Sequence, residues 1–483
     1  MNIRRELLKG SFWTAIGRYS HYIFAFVVSA ILARLLKPSD FGIVSMVLVY
    51  TGFIDLLAEF GISATVVQKR YLDHAGLSTV FWFASALALF LTGISILFAP
   101  LIELFFDFEG LRVVVQVMSI NLLFVGLGTV PQGIMQQHLN FKQLAKLEII
   151  TTILSGTFGI VFAFLGWGYW ALVLQNISLR FFRVVGLFLY THWLPMFTIQ
   201  WKSMRDVMGF SGNILGFRAI NYWARNADNL LVGRFLGSAQ LGFYNQAYKL
   251  MMYPIQMLTN IITPSIQPVF ATEQDDPSKI ASVYLHLLEL IALITFPLGV
   301  YFSLFAGPLI RVFWGNQWNN SIPVFEVLAV LTMFQPIVST SGSVFLARNK
   351  ANLLFKLGTV NAIVMIIGIA VGLNFGIVGV ATGYAISYLA IVFPLTIYFL
   401  ARSLELNPGK MFSIFIKPMI IASILVPTLF VFRTIKIPGG DIGRMFGAAI
   451  ITALICLGVA YLFYRDQILS TIKTIKAEYY AKK

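Results

Sequence analysis

Charge is what this chain has least of. Asp, Glu, Lys and Arg make up 11% of its 483 residues, and hydrophobic residues make up 58%. A soluble domain of ordinary kind, about a quarter charged, is excluded by that balance. Cysteine is almost missing as well. Cys456 stands alone in an apolar run, which excludes an intramolecular disulfide or a cysteine-based metal centre. HExxH, Walker-type glycine loops and cysteine clusters are absent, and the histidines are scattered. The pattern predicts a protein that is not an enzyme and holds no resident cofactor. Without a nucleotide motif, any active transport would have to draw on substrate flux or on an H+ or Na+ gradient. Breaks between the apolar runs are only about a dozen residues at the longest, near 192–206 and 271–280. A separate soluble domain has no room.

What is present is apolar sequence in spanning lengths: about fourteen runs, from 12–36 to 442–464. The expected fold is all-α and polytopic. Arg4, Arg5 and Lys9 precede the first run, yet it continues to Leu36 without a small-residue cleavage site. It reads as the first membrane helix rather than a signal peptide. The net charge of +15 could suggest nucleic acid, but no soluble basic domain exists to bind it. Instead, Lys and Arg collect in alternate breaks, including Lys69, Arg70, Lys142, Lys146, Lys202 and Arg205, while Glu103–Glu109 falls on the other side. The positive-inside rule then places both termini in the cytoplasm.

The chain also repeats. SFWTAIGRYS at Ser11 and SGNILGFRAI at Ser211 set Arg18 against Arg218. ARLLKPSDFG at Ala33 and GRFLGSAQLG at Gly233 set Gly42 against Gly242, the same offset of 200. APLIELFF at Ala99 and GPLIRVFW at Gly307 are offset by 208. This predicts two six-helix halves, 1–206 and 207–405, of like membrane orientation, and an appended helix pair with a tail in 406–483. A substrate site between such halves near the midplane is expected.

The stretch 207–235 is long enough to span and carries Arg218, Arg225 and Asp228 near its middle. At about 100° per residue, Arg218, Asn221, Tyr222, Arg225, Asp228 and Asn229 share one face. A central membrane arginine costs at least ~2.5–3.5 kcal/mol to insert, so two on one face predict a water-filled cavity. Asp228, three residues after Arg225, reads either as its neutralising partner or as an ion site. Asp55 and Glu59 lie one turn apart and read as a cation site or as partners of a basic group such as Lys69. Arg180 and Arg183 sit near mid-depth, with one of them expected to face the cavity. Glu148 and Glu289 are isolated membrane carboxylates, and His286 shares the face of Glu289. Trp167, Trp170, Trp314 and Trp318 read as interface anchors.

The segments ARLLKPSDFGIVSM (33–46), LLAEFGISATVVQK (56–69), GSAQLGFYNQAYKL (237–250) and GPLIRVFWGNQWNNSIPVFEVLA (307–329) carry a resemblance over essentially the whole chain. The sequence resembles the polysaccharide-transport, Wzx-type branch of the multidrug/oligosaccharidyl-lipid/polysaccharide flippase superfamily. The resemblance implies transfer of an undecaprenyl-diphosphate-linked oligosaccharide from the cytoplasmic to the periplasmic leaflet of the bacterial inner membrane, by alternating access. It also implies association with a polysaccharide polymerase and glycosyltransferases. Arg18, Arg180, Arg218 and Arg225 are the residues expected on the diphosphate, because guanidinium pairs bidentately with phosphate oxygens. Asn221, Tyr222 and Asn229 are expected on the sugars. Asp228, Asp55, Glu59 and Glu289 are the expected coupling carboxylates. A drug/cation antiporter of the same superfamily would prefer an acidic cavity. An integral-membrane glycosyltransferase or polymerase would need a larger outer loop or a carboxylate-rich segment.

Overall fold

The computed structural model describes the backbone of residues 3–59, 61–69, 72–272, 276–435 and 437–481. Side chains are described throughout except at 3–12, 64, 201–218, 220, 221, 224, 260–269, 271, 272, 460 and 464–481. Arg218 and Asn221 therefore lie outside the described residues.

Among those residues the chain is helical, with no strand. In order it forms α1 (Ile3–Leu35), α2 (Pro38–Glu59), α3 (Ile62–Gln68), α4 (His74–Phe106), α5 (Leu111–Met118), α6 (Ile120–Gln137), α7 (Phe141–Phe164) and α8 (Tyr169–Thr191). Next come α9 (Trp201–Thr272), α10 (Pro277–Leu304), α11 (Ala306–Phe313), α12 (Ile322–Leu331) and α13 (Gln335–Ala347). The remainder is α14 (Ala351–Gly372), α15 (Gly376–Ser387), α16 (Phe393–Ser403), α17 (Pro408–Ser413), α18 (Ile416–Thr434) and α19 (Gly440–Ala481).

Ten helical stretches among the described residues are long and apolar enough to cross a membrane. They become eleven if α12 and α13, bent by 41° and with Pro336 at the start of α13, count as one span. Ala351–Ser403 counts once although its 53 residues exceed two bilayer crossings at about 1.5 Å each. A 3-10 turn at Leu373–Phe375 and Gly376, with φ of 70°, interrupt it between the expected runs 352–374 and 376–400. The expected runs 207–235 and 239–271 both fall in α9, too polar to qualify by composition. Length and composition thus account for fewer spans than fourteen. Exposed Leu97, Leu104 and Phe164 are ordinary for a surface in contact with lipid.

By contact the chain groups into two compact units: 1–246 with 358–384, and 247–357 with 385–483. That grouping is one of packing, and its bounds differ from the halves 1–206 and 207–405 expected from the repeated segments.

Small residues let the helices of the first unit approach closely. A Cβ on Gly17 in α1 would lie 2.7 Å from the Ala145 Cβ of α7, and one on Gly126 in α6 would lie 2.8 Å from the Ala84 carbonyl of α4. The α14–α15 hairpin closes the same way, Gly372 against the Gly379 carbonyl and Gly383 against that of Gly368. Within α9 the helix breaks at Gly237 (φ 83°, ψ 176°), a backbone state that glycine reaches without strain.

In the second unit, Trp314 and Trp318 are almost wholly buried, their rings 5.8 Å apart. They are core residues, not the interface anchors their positions near span ends suggested. Trp167 is exposed, as an anchor requires. Asp276 caps α10 by accepting from the Ser278 and Lys279 amides, with Pro277 entering the first turn.

Candidate functional site

Helical spacing gathers the polar residues of the first unit onto facing stripes. α2 presents Gly52, Asp55 and Glu59, and α6 presents Gly128, Gln132 and Gln136. On α8, Arg180 and Arg183 stand one turn apart. α1 contributes Thr14 and Arg18, and α7 contributes Leu144 and Glu148. These stripes border two adjoining cavities. One, of 360 Å³, is lined by Asp55, Glu59, Gln132, Arg180 and Arg183 among apolar side chains such as Phe124 and Leu187. The other, of 270 Å³, is lined by Arg18, Gln132, Gln136, Glu148 and Arg183. Gln132 and Arg183 belong to both.

Arg180 Nη2 donates to Asp55 Oδ2 at 2.9 Å. Asp55 is thus the partner of an arginine on another helix, and the basic group that its sequence position called for is Arg180. Arg183 Nη2 donates to Gln132 Oε1 at 3.3 Å, with Glu148, Glu59 and Arg180 as its charged neighbours. Both α8 arginines line the cavity, where one was expected. His21 Nδ1 lies 2.8 Å from the Thr152 hydroxyl, joining α1 to α7 beside the site.

The face expected on α9 is divided among several tasks. Tyr222 Oη donates to the Val49 carbonyl of α2 at 2.8 Å, and its ring packs against Phe53 with a centroid distance of 5.9 Å. Its hydroxyl braces α2. Arg225 is exposed. Asp228 is buried and accepts from Tyr244 Oη at 3.0 Å and from the Asn229 amide at 2.8 Å. Asn229 Oδ1 accepts from Asn245 Nδ2 at 3.1 Å. These bonds pair the two segments of α9 on either side of Gly237. In the second unit, Glu289 accepts from Lys417 Nζ at 2.7 Å, and His286 is exposed.

Three arginines (Arg18, Arg180, Arg183) and three carboxylates (Asp55, Glu59, Glu148) therefore border the two cavities. Guanidinium groups here offer bidentate donation to phosphate or carboxylate oxygens. Gln132 and Gln136 complete the polar lining. The sequence signal for them was a pair of amides at i, i+4 on an apolar helix, which the reading of charges passed over. No group of three or more His, Cys, Asp or Glu suited to a metal ion occurs among the described residues.

A bundle of membrane-length helices around a charged internal cavity defines a polytopic transporter. The chain belongs to the family of polysaccharide biosynthesis proteins, whose model matches residues 31–323. It is 26% identical over 428 residues to the teichuronic acid biosynthesis protein TuaB of Bacillus subtilis (strain 168), covering 87% of this chain and 88% of that one. To the lipopolysaccharide biosynthesis protein WzxC of Escherichia coli (strain K12) it is 25% identical over 392 residues, 80% of this chain and 79% of that. The fold is shared with the lipid II flippase MurJ in an inward closed conformation, at a TM-score of 0.77 and 17% identity over 94% of this chain and 99% of that one. An inward-facing multidrug transporter of the MATE family follows at a TM-score of 0.61 and 16% identity, over 80% and 95% of the two chains.

Proposed function

We propose that this protein is a flippase that carries a lipid-linked oligosaccharide across the membrane for cell-surface polysaccharide synthesis. The observation that carries the reading is the placement of Arg18, Arg180 and Arg183 around adjoining cavities inside apolar helices. A diphosphate with its sugars is too polar for hydrocarbon, and a hydrated, arginine-lined recess replaces the water that it loses. The names of the relatives, biosynthesis proteins for teichuronic acid and lipopolysaccharide, support the same substrate class.

In this reading an undecaprenyl-diphosphate carrier presents its head group to the cavity while its tail stays among the membrane lipids. Alternating access moves the head group from the cytoplasmic to the periplasmic leaflet of the bacterial inner membrane. The bias of Lys and Arg toward alternate breaks supports cytoplasmic termini. Coupling to an H+ or Na+ gradient is assigned to Asp228, buried among neutral partners. A polymerase and glycosyltransferases are the natural neighbours of such a carrier, since they consume and supply its substrate.

The test is translocation of a fluorescent lipid-linked oligosaccharide in proteoliposomes. Arg180→Ala and Arg183→Ala are expected to abolish transfer, with partial rescue by Lys. Full transfer by both Ala variants would overturn the cationic-cavity mechanism. Exchange of small organic cations by a wild type that moves no lipid would favour the antiporter.

A further inference from the structure

Asp55 holds Arg180 with half of a carboxylate. Its Oδ2 accepts from Arg180, whereas its buried Oδ1 accepts no hydrogen bond from a described residue. The pair is also partly open, with the Arg180 side chain 41% exposed and that of Asp55 24%. A bidentate, enclosed pair would be stronger and harder to part. One turn along α8, Arg183 faces the same cavity with an amide oxygen as its hydrogen-bond acceptor.

We propose that Asp55 is an intramolecular competitor for Arg180, which neutralises it in the empty carrier and drives the head group out after transfer. The inference rests on the flippase reading above. A diphosphate reaching both Arg180 and Arg183 exchanges one ion pair for two. A singly charged head group that reaches Arg180 alone exchanges one pair for one and gains nothing there. Entry of the proper ligand is therefore favoured, but the returning carboxylate keeps it from being held too tightly to leave. Two guanidinium groups in a partly dry recess, with no competitor, would retain a diphosphate on either side of the membrane. A carrier needs binding strong enough to load and weak enough to release.

The experiment titrates the purified full chain with inorganic pyrophosphate and measures multiple-turnover lipid transfer on the same variants. Asp55→Asn is expected to tighten pyrophosphate binding roughly fivefold, the size set by a partly exposed ion pair. Its maximal transfer rate falls together with KM, because release becomes limiting. Asp55→Glu, which keeps the charge, is expected to stay near wild type in both. In an Arg180→Gln background, adding Asp55→Asn leaves pyrophosphate binding unchanged. Unchanged or weaker binding by Asp55→Asn overturns the proposal, as does a gain that persists without Arg180. If pyrophosphate follows the expected pattern while the wild type moves no lipid-linked oligosaccharide, the flippase reading fails and the competition stands.

Discussion

Gly42 abuts the carbonyl of Ser238, and Gly242 abuts the carbonyl of Pro38, each so closely that a Cβ on either glycine would overlap the facing oxygen. Gly42 and Gly242 are 200 residues apart, as are Pro38 and Ser238, so glycine and carbonyl exchange roles between the two contacts. Reciprocity of this kind is the mark of a two-fold relation. The start of α2 and the segment of α9 just past Gly237 thus make the same close contact in both directions.

Gly42→Ala and Gly242→Ala are each expected to destabilise the protein by at least ~3 kcal/mol, since backbone must move to admit the methyl group. Gly93 in α4 has open space around its Cβ position, so Gly93→Ala serves as the control. Thermal unfolding in detergent separates the three. Equal melting of Gly42→Ala and wild type would remove the contact from the list of tight ones.

Asp228→Asn is expected to leave pyrophosphate binding intact and to abolish stimulation of lipid transfer by an imposed H+ or Na+ gradient. Asparagine retains one acceptor for Tyr244 or the Asn229 amide, so the fold of α9 survives. Transfer that still responds to the gradient would take Asp228 out of the coupling role.

Trp314→Ala empties a large volume in the second unit and is expected to cost ~3–5 kcal/mol. Trp167→Ala, at an exposed site, is expected to change the melting temperature little. Similar losses from both would contradict the burial difference.

Hydrogen bonds from the Ser278 hydroxyl and the Lys279 amide hold the Asp276 carboxyl below the ordinary carboxylate range. A lowered folded value means that its contribution is present above the unfolded pKa, about 3.9, and lost as pH falls through the folded one. The protection of the Ser278 and Lys279 amides, relative to their intrinsic exchange at each pH, should therefore fall in acid. Asp276→Ala should show that loss of protection already at neutral pH, and Asp276→Asn should resist it. Constant protection across acid pH would mean that the cap does not depend on charge.

Local spacing made much of this legible. The apolar runs fixed an all-helical membrane fold, and the glycines offset by 200 were visible as a repeat before their contact was. Arg180 and Arg183 stood out because charge at mid-depth is costly. Their partners did not, since Asp55 lies 125 residues away on another helix. Asp228 was read as a partner of Arg225, three residues off, or as an ion site. The break at Gly237 instead folds α9 back and brings Tyr244 to it. Trp314 and Trp318 show the limit of end-of-span rules, because tertiary burial overrides position along the chain.

The Asp55–Arg180 pair has an ancestry that its geometry alone does not reveal. Advanced by the repeat offsets of 200 and 208, Asp55 falls on Ile255 and Arg180 on Tyr388. The acid and its base are thus absent together from the second copy, while the arginine at 18 persists as Arg218. The pair is therefore one-sided, with no charged counterpart at either offset position. Loss of either member alone leaves a single charge in a partly dry recess, so the two distant positions are expected to change together.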